Sequence, residues 1–171
     1  MVRTRSLSGA HSRDPVALST LRSNSERHRH AVSAPTRTLG KVTMPSTRIT
    51  TGSWARGREA SVLEAVQNAL LSALKIPDYD RDIVLDLYDA NRRIIPTGRS
   101  ERYTRIEVVL FSGRSLDAKR SLYQAVVANL HDLGVPATEI KIVLIEASPE
   151  DWGLRGGQPA SEIDLGFRID V

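Results

Sequence analysis

The segment EAVQNALLSALKIP, residues 64–77, has a counterpart in YQAVVANLHDLGVP at 123–136. Both set small and aliphatic residues at helical spacing, and both close on a proline that a helix cannot continue through. The echo extends outward. Thr-Arg-Ile occurs at 47–49 and again at 104–106, and DIVLDLYDA (82–90) is answered by KIVLIEAS (141–148). A period of about 60 residues, each holding strand, helix and strand, confines the chain to architectures that use one β-α-β unit twice.

The units read in order. STRITT (46–51) is a strand, and Val62, Val66, Ala69, Leu70, Ala73 and Leu74 form the apolar face of a helix over Arg58–Lys75. IVLDLY (83–88) is the second strand. A polar connection over 89–104, with Pro96, Gly98 and several arginines, leads to RIEVVLF (105–111). Ser115 is a suitable N-cap, with Asp117 in the first turn to complement the helix dipole. Leu122, Val126, Leu130 and Leu133 then line one face until Gly134-Val135-Pro136 stops the helix, and IKIVLIEA (140–147) is the fourth strand. The fold class is α/β of the α+β kind: a four-stranded sheet with two helices on one face. IVLDLY and IKIVLIEA lack clean polar alternation, so both faces of the sheet are expected to be covered. Two helices cover only one. A further copy of the chain is the cheapest cover for the other, which predicts a homo-oligomer.

Charge divides the chain at Met44. Residues 1–44 hold eight of the 24 Lys and Arg but two of the 20 Asp and Glu, leaving sixteen basic against eighteen acidic residues in 45–171. The net charge of +4 therefore belongs to a basic leader, predicted to be disordered and processed or upstream sequence, and 45–171 is the folded domain. Nucleic acid is not an expected partner of the domain, whose third strand also lacks the stacking aromatics of RNA-binding modules. With no cysteine, thiolate chemistry and disulfides are excluded. No apolar run is long enough for a bilayer, and no membrane association is expected. The expected location is cytoplasmic, or organellar if the Arg- and Ser-rich leader acts as a transit peptide.

Familiar catalytic patterns are missing. DYDRD (78–82) begins like a calcium loop but has Ile83 where that loop needs glycine. GLRGG (153–157) lacks the lysine of a phosphate loop and reads as a turn. His131, the domain's only histidine, falls on a solvated helix face beside Asp132. No metal or cofactor site is predicted. Met44-Pro45 is different. If translation starts at Met44 and the methionine is removed, Pro45 becomes a free secondary amine and a potential base; inside a longer chain its nitrogen is an inert amide.

A Met-Pro start, a strand and a helix, then IPDYDR (76–81), SGRSLDAKRSLY (112–123) and EDWGLRGG (150–157) together resemble the tautomerase superfamily. The resemblance is to its long, internally duplicated subgroup, with malonate semialdehyde decarboxylase-like and 4-oxalocrotonate tautomerase-like proteins, and spans Pro45–Val171. It implies Pro45 as catalytic base or acid, Asp80 as its hydrogen-bonding partner or a positioner of water, and Arg114 as a carboxylate clamp. It also implies Trp152 as a wall of the site, no cofactor, and a homotrimer. Two departures stand out. Ser112 occupies the place of an additional arginine in the decarboxylases, and the first-half Gly-Arg is read as Gly52-Ser53 with Arg56 or Arg58 displaced. Both favour tautomerisation of small 2-oxo or 2-hydroxydienoate acids over decarboxylation or the hydratase and dehalogenase chemistry of 3-oxo and halo-acrylic acids. A catalytically silent oligomeric scaffold is the reading outside the enzyme class.

The chemistry is self-consistent. A free α-amine titrates near pH ~8, close to where a general base works best. One guanidinium ~6.5 Å away at an effective dielectric of ~20 disfavours the ammonium form by ~2.5 kcal/mol, roughly two pK units. An arginine near Pro45 thus both holds an acidic substrate and keeps the amine neutral.

Overall fold

The structure is a computed structural model that describes residues 44–165; segment 1–43 of the basic leader lies outside the described residues. Strand β1 (Ser46–Gly52) is followed by helix α1 (Glu59–Leu74) and strand β2 (Asp82–Tyr88). Strand β3 (Thr104–Phe111), helix α2 (Leu116–Asp132) and strand β4 (Ile140–Ala147) repeat that order. The sheet runs β2-β1-β3-β4, with β1 parallel to β2, β3 parallel to β4, and the two units joined antiparallel through β1 and β3. A two-stranded hairpin, β5 (Gly153–Leu154) with β6 (Gln158–Pro159), closes the described chain.

The elements form for the reasons the sequence gives. Ser115 caps α2, its Oγ accepting from Ala118 N at 3.1 Å. Helix α1 ends at Lys75, which takes the left-handed conformation at φ 53° before Ile76-Pro77. Both helices lie on one face of the sheet. Val62, Val66, Leu70 and Leu74 from α1 and Leu122, Val126 and Leu130 from α2 enclose Ile49, Ile106 and Val108 from the central strands. Asn129 ties the helices together, donating to Ala65 O at 2.9 Å. This core draws its residues from 49–144, so the folded unit carries its own hydrophobic core without the leader.

The opposite face carries Arg48, Asp86, Arg105 and Glu107 in two ion pairs, Arg48–Asp86 and Arg105–Glu107. On the same face Val84 and Ile145, from the edge strands, stand 53% and 44% exposed. Among the described residues, no helix is long and apolar enough to cross a membrane.

Candidate active site

Register places the site before any side chain is considered. Ser46 pairs with Asp82 on one side and Val109 on the other, and Phe111 pairs with Ala147. The starts of β1 and β2 therefore meet the ends of β3 and β4. Pro45 precedes β1, Asp80 precedes β2, Arg114 follows β3 and Trp152 follows β4, so one end of the sheet gathers all four.

Asp80 is 1% exposed. A turn fixes its backbone, with Asp80 N donating to Pro77 O at 3.0 Å, and Gln67 Nε2 on α1 donating to Asp80 O at 2.7 Å. The carboxylate accepts from Met44 N through Oδ1 at 2.5 Å, while Oδ2 is buried with no hydrogen-bond partner. Burial pushes its pKa up from the usual 3.8 to about 7, with a smaller push from the charge of Asp82; the Met44 N–H and the Arg114 guanidinium pull the other way. Only Asp80 of the DYDRD run is buried; Asp78 and Asp82 face solvent, so the run does not close into a calcium loop.

Arg114 is 8% exposed and donates from Nη1 to Leu74 O at 3.0 Å, the carbonyl at the end of α1. A cation there complements the negative end of that helix dipole, which offsets its unfavourable place ahead of α2. The first-half counterpart is Gly57-Arg58 rather than Gly52-Ser53. Gly57 and Gly113 both take positive φ, each is followed by an arginine, and each pair leads into a helix. Arg58 is exposed, whereas Gly52 lies at the end of β1, where a Cβ would overlap Glu101 O and Arg93 Nη2.

Trp152 stacks edge-on to Phe111, ring centroids 5.4 Å apart, with its indole Nε1 buried and without a partner. Its carbonyl accepts from Ala160 N at 2.9 Å, which fastens the hairpin beneath it. Ser112 is exposed, and its N donates to Ala147 O at 2.9 Å. Met44 is 3% exposed and forms a small cluster with buried Phe111 and Ala160, bordered by Trp152, Leu154, Ile163 and Leu165. Met44 therefore packs with the folded unit although its sequence neighbours belong to the leader. The arginines of the connection lie elsewhere: Arg93 lines a cavity of about 270 Å³ with Tyr103, Arg105 and Lys141, towards the opposite end of the sheet.

Gln67 and Phe111 complete the site beyond the residues the sequence singled out. Gln67 had a signal, an amide within the apolar face of α1. Phe111 showed only as an aromatic ending a strand.

A family model described as "Tautomerase enzyme" matches residues 80–155, from the buried aspartate to the hairpin. Sequence and fold both match the tautomerase superfamily. Among solved tautomerase-superfamily structures, FG41 malonate semialdehyde decarboxylase inhibited by 3-bromopropiolate is 29% identical, with a TM-score of 0.58 over 63% of this chain and 86% of that one. A native fused 4-OT aligns at 18% identity and a TM-score of 0.62, over 69% of this chain and 98% of its own. A fused 4-OT symmetric trimer aligns at 20% identity and a TM-score of 0.58, over 67% and 95%. At these lower identities the likeness is one of fold: the duplicated β-α-β architecture that the internal repeat predicts, in the tautomerase form that the motif resemblance implies.

Proposed function

We propose that the chain, once it begins at Pro45, is a cofactor-independent tautomerase of small 2-oxo and 2-hydroxydienoate acids. The observation that carries this reading is the hydrogen bond from Met44 N to buried Asp80. It brings the Asp80 carboxyl, poised near neutrality and feeling the charge of Arg114, to the residue next to Pro45, which supports a role for the Pro45 nitrogen once Met44 is gone. Arg114 receives the substrate carboxylate. The neutral Pro45 amine takes the proton from the enol oxygen of a 2-hydroxydienoate, leaving a dienolate. The resulting ammonium returns the proton to carbon, giving the 2-oxo acid and restoring the amine. Asp80 stabilises the ammonium between those steps.

A second reading, decarboxylation or hydration of 3-oxo or halo-acrylic acids, draws on two points. The solved neighbour at 29% identity is a decarboxylase, and a carboxyl group with a pKa of about 7 suits the positioning of water. The uncovered sheet face, where Arg48, Val84, Glu107, Val109 and Ile145 line an open cavity of about 350 Å³, is the surface on which copies of the chain assemble. The fused 4-OT neighbours are trimers, and a trimer is the assembly we assign.

The test compares three proteins: the chain from Pro45, the same chain with Pro45→Ala, and the full chain from Met1. Ketonisation of phenylenolpyruvate is expected only for the first, with the alanine variant slower by ~10²-fold or more. Equal rates in the first two remove Pro45 from the mechanism. Carbon dioxide release from 3-oxo acids without ketonisation moves the assignment to the second reading.

A further inference from the structure

Met44 occupies the space in front of Pro45, and its two parts lie in different surroundings. Its main chain is in the polar part, where its N–H meets Asp80. Its buried thioether belongs to a small apolar cluster, separate from the main core, whose other buried members are Phe111 and Ala160. Trp152, Leu154, Ile163 and Leu165 border that cluster from the C-terminal segment.

Removing Met44 vacates both parts together. An apolar cavity walled by aromatic and aliphatic side chains is a poor site for water, which needs several polar partners, and a good one for an apolar group. The rigid wall supports this: Trp152 is held by its carbonyl bond to Ala160 N and by its edge-on contact with Phe111.

We propose that the thioether of Met44 marks the seat of an apolar arm on the substrate, so that the chain from Pro45 takes acids bearing an unbranched alkyl tail of about that length. The proposal rests on the reading of Pro45 as the reactive terminus and deepens it by naming the substrate class. The polar end of the substrate, with the carboxylate and the enol hydroxyl, lies towards Arg114 and Asp80. The tail runs to Phe111 and Ala160. The same geometry gives Met44 a second consequence: in the full chain its side chain fills the place of the tail.

The experiment measures binding, separately from turnover. Straight-chain saturated carboxylates from acetate to octanoate are titrated calorimetrically into the chain from Pro45 and into the full chain. The expected result is affinity that rises roughly fourfold per methylene up to the length of the thioether and then levels off, in the Pro45 chain alone. Ala160→Leu in that chain flattens the series by filling the seat, and Leu154→Ala, on the hairpin, lowers its slope. Affinity independent of tail length in the unmutated Pro45 chain overturns the proposal, as does an equal rise in the full chain. Saturated acids cannot tautomerise, so the two readings fail separately. A length-dependent series in a protein that ketonises no enol acid keeps the apolar seat and removes the tautomerase. Ketonisation with the same kcat/KM for short and long tails keeps the tautomerase and removes the seat.

Discussion

The repeat places Asp80 and Glu139 at the same point of their units, each after the helix and its proline, and the two acids are treated differently. Glu139 is 7% exposed, and both its carboxylate oxygens accept from Ser100 N, at 3.0 and 3.1 Å. Asp80 is more deeply buried, and only one of its oxygens has a partner. The arginines also differ. Arg114 and Arg102 each donate to a carbonyl at a helix end, Leu74 O and Gly134 O, but Arg102 also lies over Trp54, 5.5 Å from the ring centroid. The duplication built one scaffold twice, and in the second unit Ser100, on the connection between β2 and β3, satisfies both oxygens of Glu139, whereas Asp80 Oδ2 has no such partner. A buried polar atom without a partner is costly to a fold, and Asp80 Oδ2 carries that cost where Glu139 does not.

Replacing each acid by its amide gives the largest expected contrast. In the chain from Pro45, Asp80→Asn is expected to lower kcat/KM by ~10²-fold or more, while Glu139→Gln leaves it within about twofold and costs ~1–2 kcal/mol of stability. Steady-state kinetics beside urea denaturation separates the two effects, and equal kinetic losses refute the asymmetry. The arginines give a smaller contrast. Arg114→Ala is expected to cost ~10- to 100-fold in kcat/KM, chiefly through KM, as the loss of a charge-assisted contact to the carboxylate. Arg102→Ala is expected to change stability by about 1 kcal/mol through its lost carbonyl and ring contacts, with kinetics unchanged.

The smallest expected effect is on the pH dependence of stability. Between 3.8 and about 7 the folded full chain keeps a proton on Asp80 that the unfolded chain has released. Stability from this group is therefore complete below 3.8 and is lost as pH rises through about 7. Denaturation midpoints of the full chain should fall across that window relative to Asp80→Asn, in which the contribution is gone; Glu139→Gln should retain it. A parallel pH course for the wild type and Asp80→Asn would place the raised pKa elsewhere.

How far the sequence foretold this depends on the kind of interaction. Features set by local pattern were legible: Ser115 caps α2, β4 spans Ile140–Ala147 as read, and β1 runs one residue further, to Gly52. The convergence of Pro45, Asp80, Arg114 and Trp152 at one end of the sheet was legible only through the family resemblance. No local pattern links Met44 to Asp80, 36 residues away. Bonds to main-chain carbonyls were invisible, because every residue offers one. Arg93 donates to Tyr103 O and Glu101 O at 2.9 and 2.7 Å, where the sequence showed only a solvated charge in a polar connection. Which arginine is displaced, Arg56 or Arg58, and that Gly57 is its partner, was obscured in the same way, since it depends on backbone conformation rather than on residue type.

The central position of β1 has a practical consequence. Strand β1, a central strand of the sheet, begins at the candidate site, so anything joined ahead of Pro45 starts where the proposed reaction would take place. Under the proposed mechanism, a purification tag fused at that end would block the reaction by turning the amine into an amide.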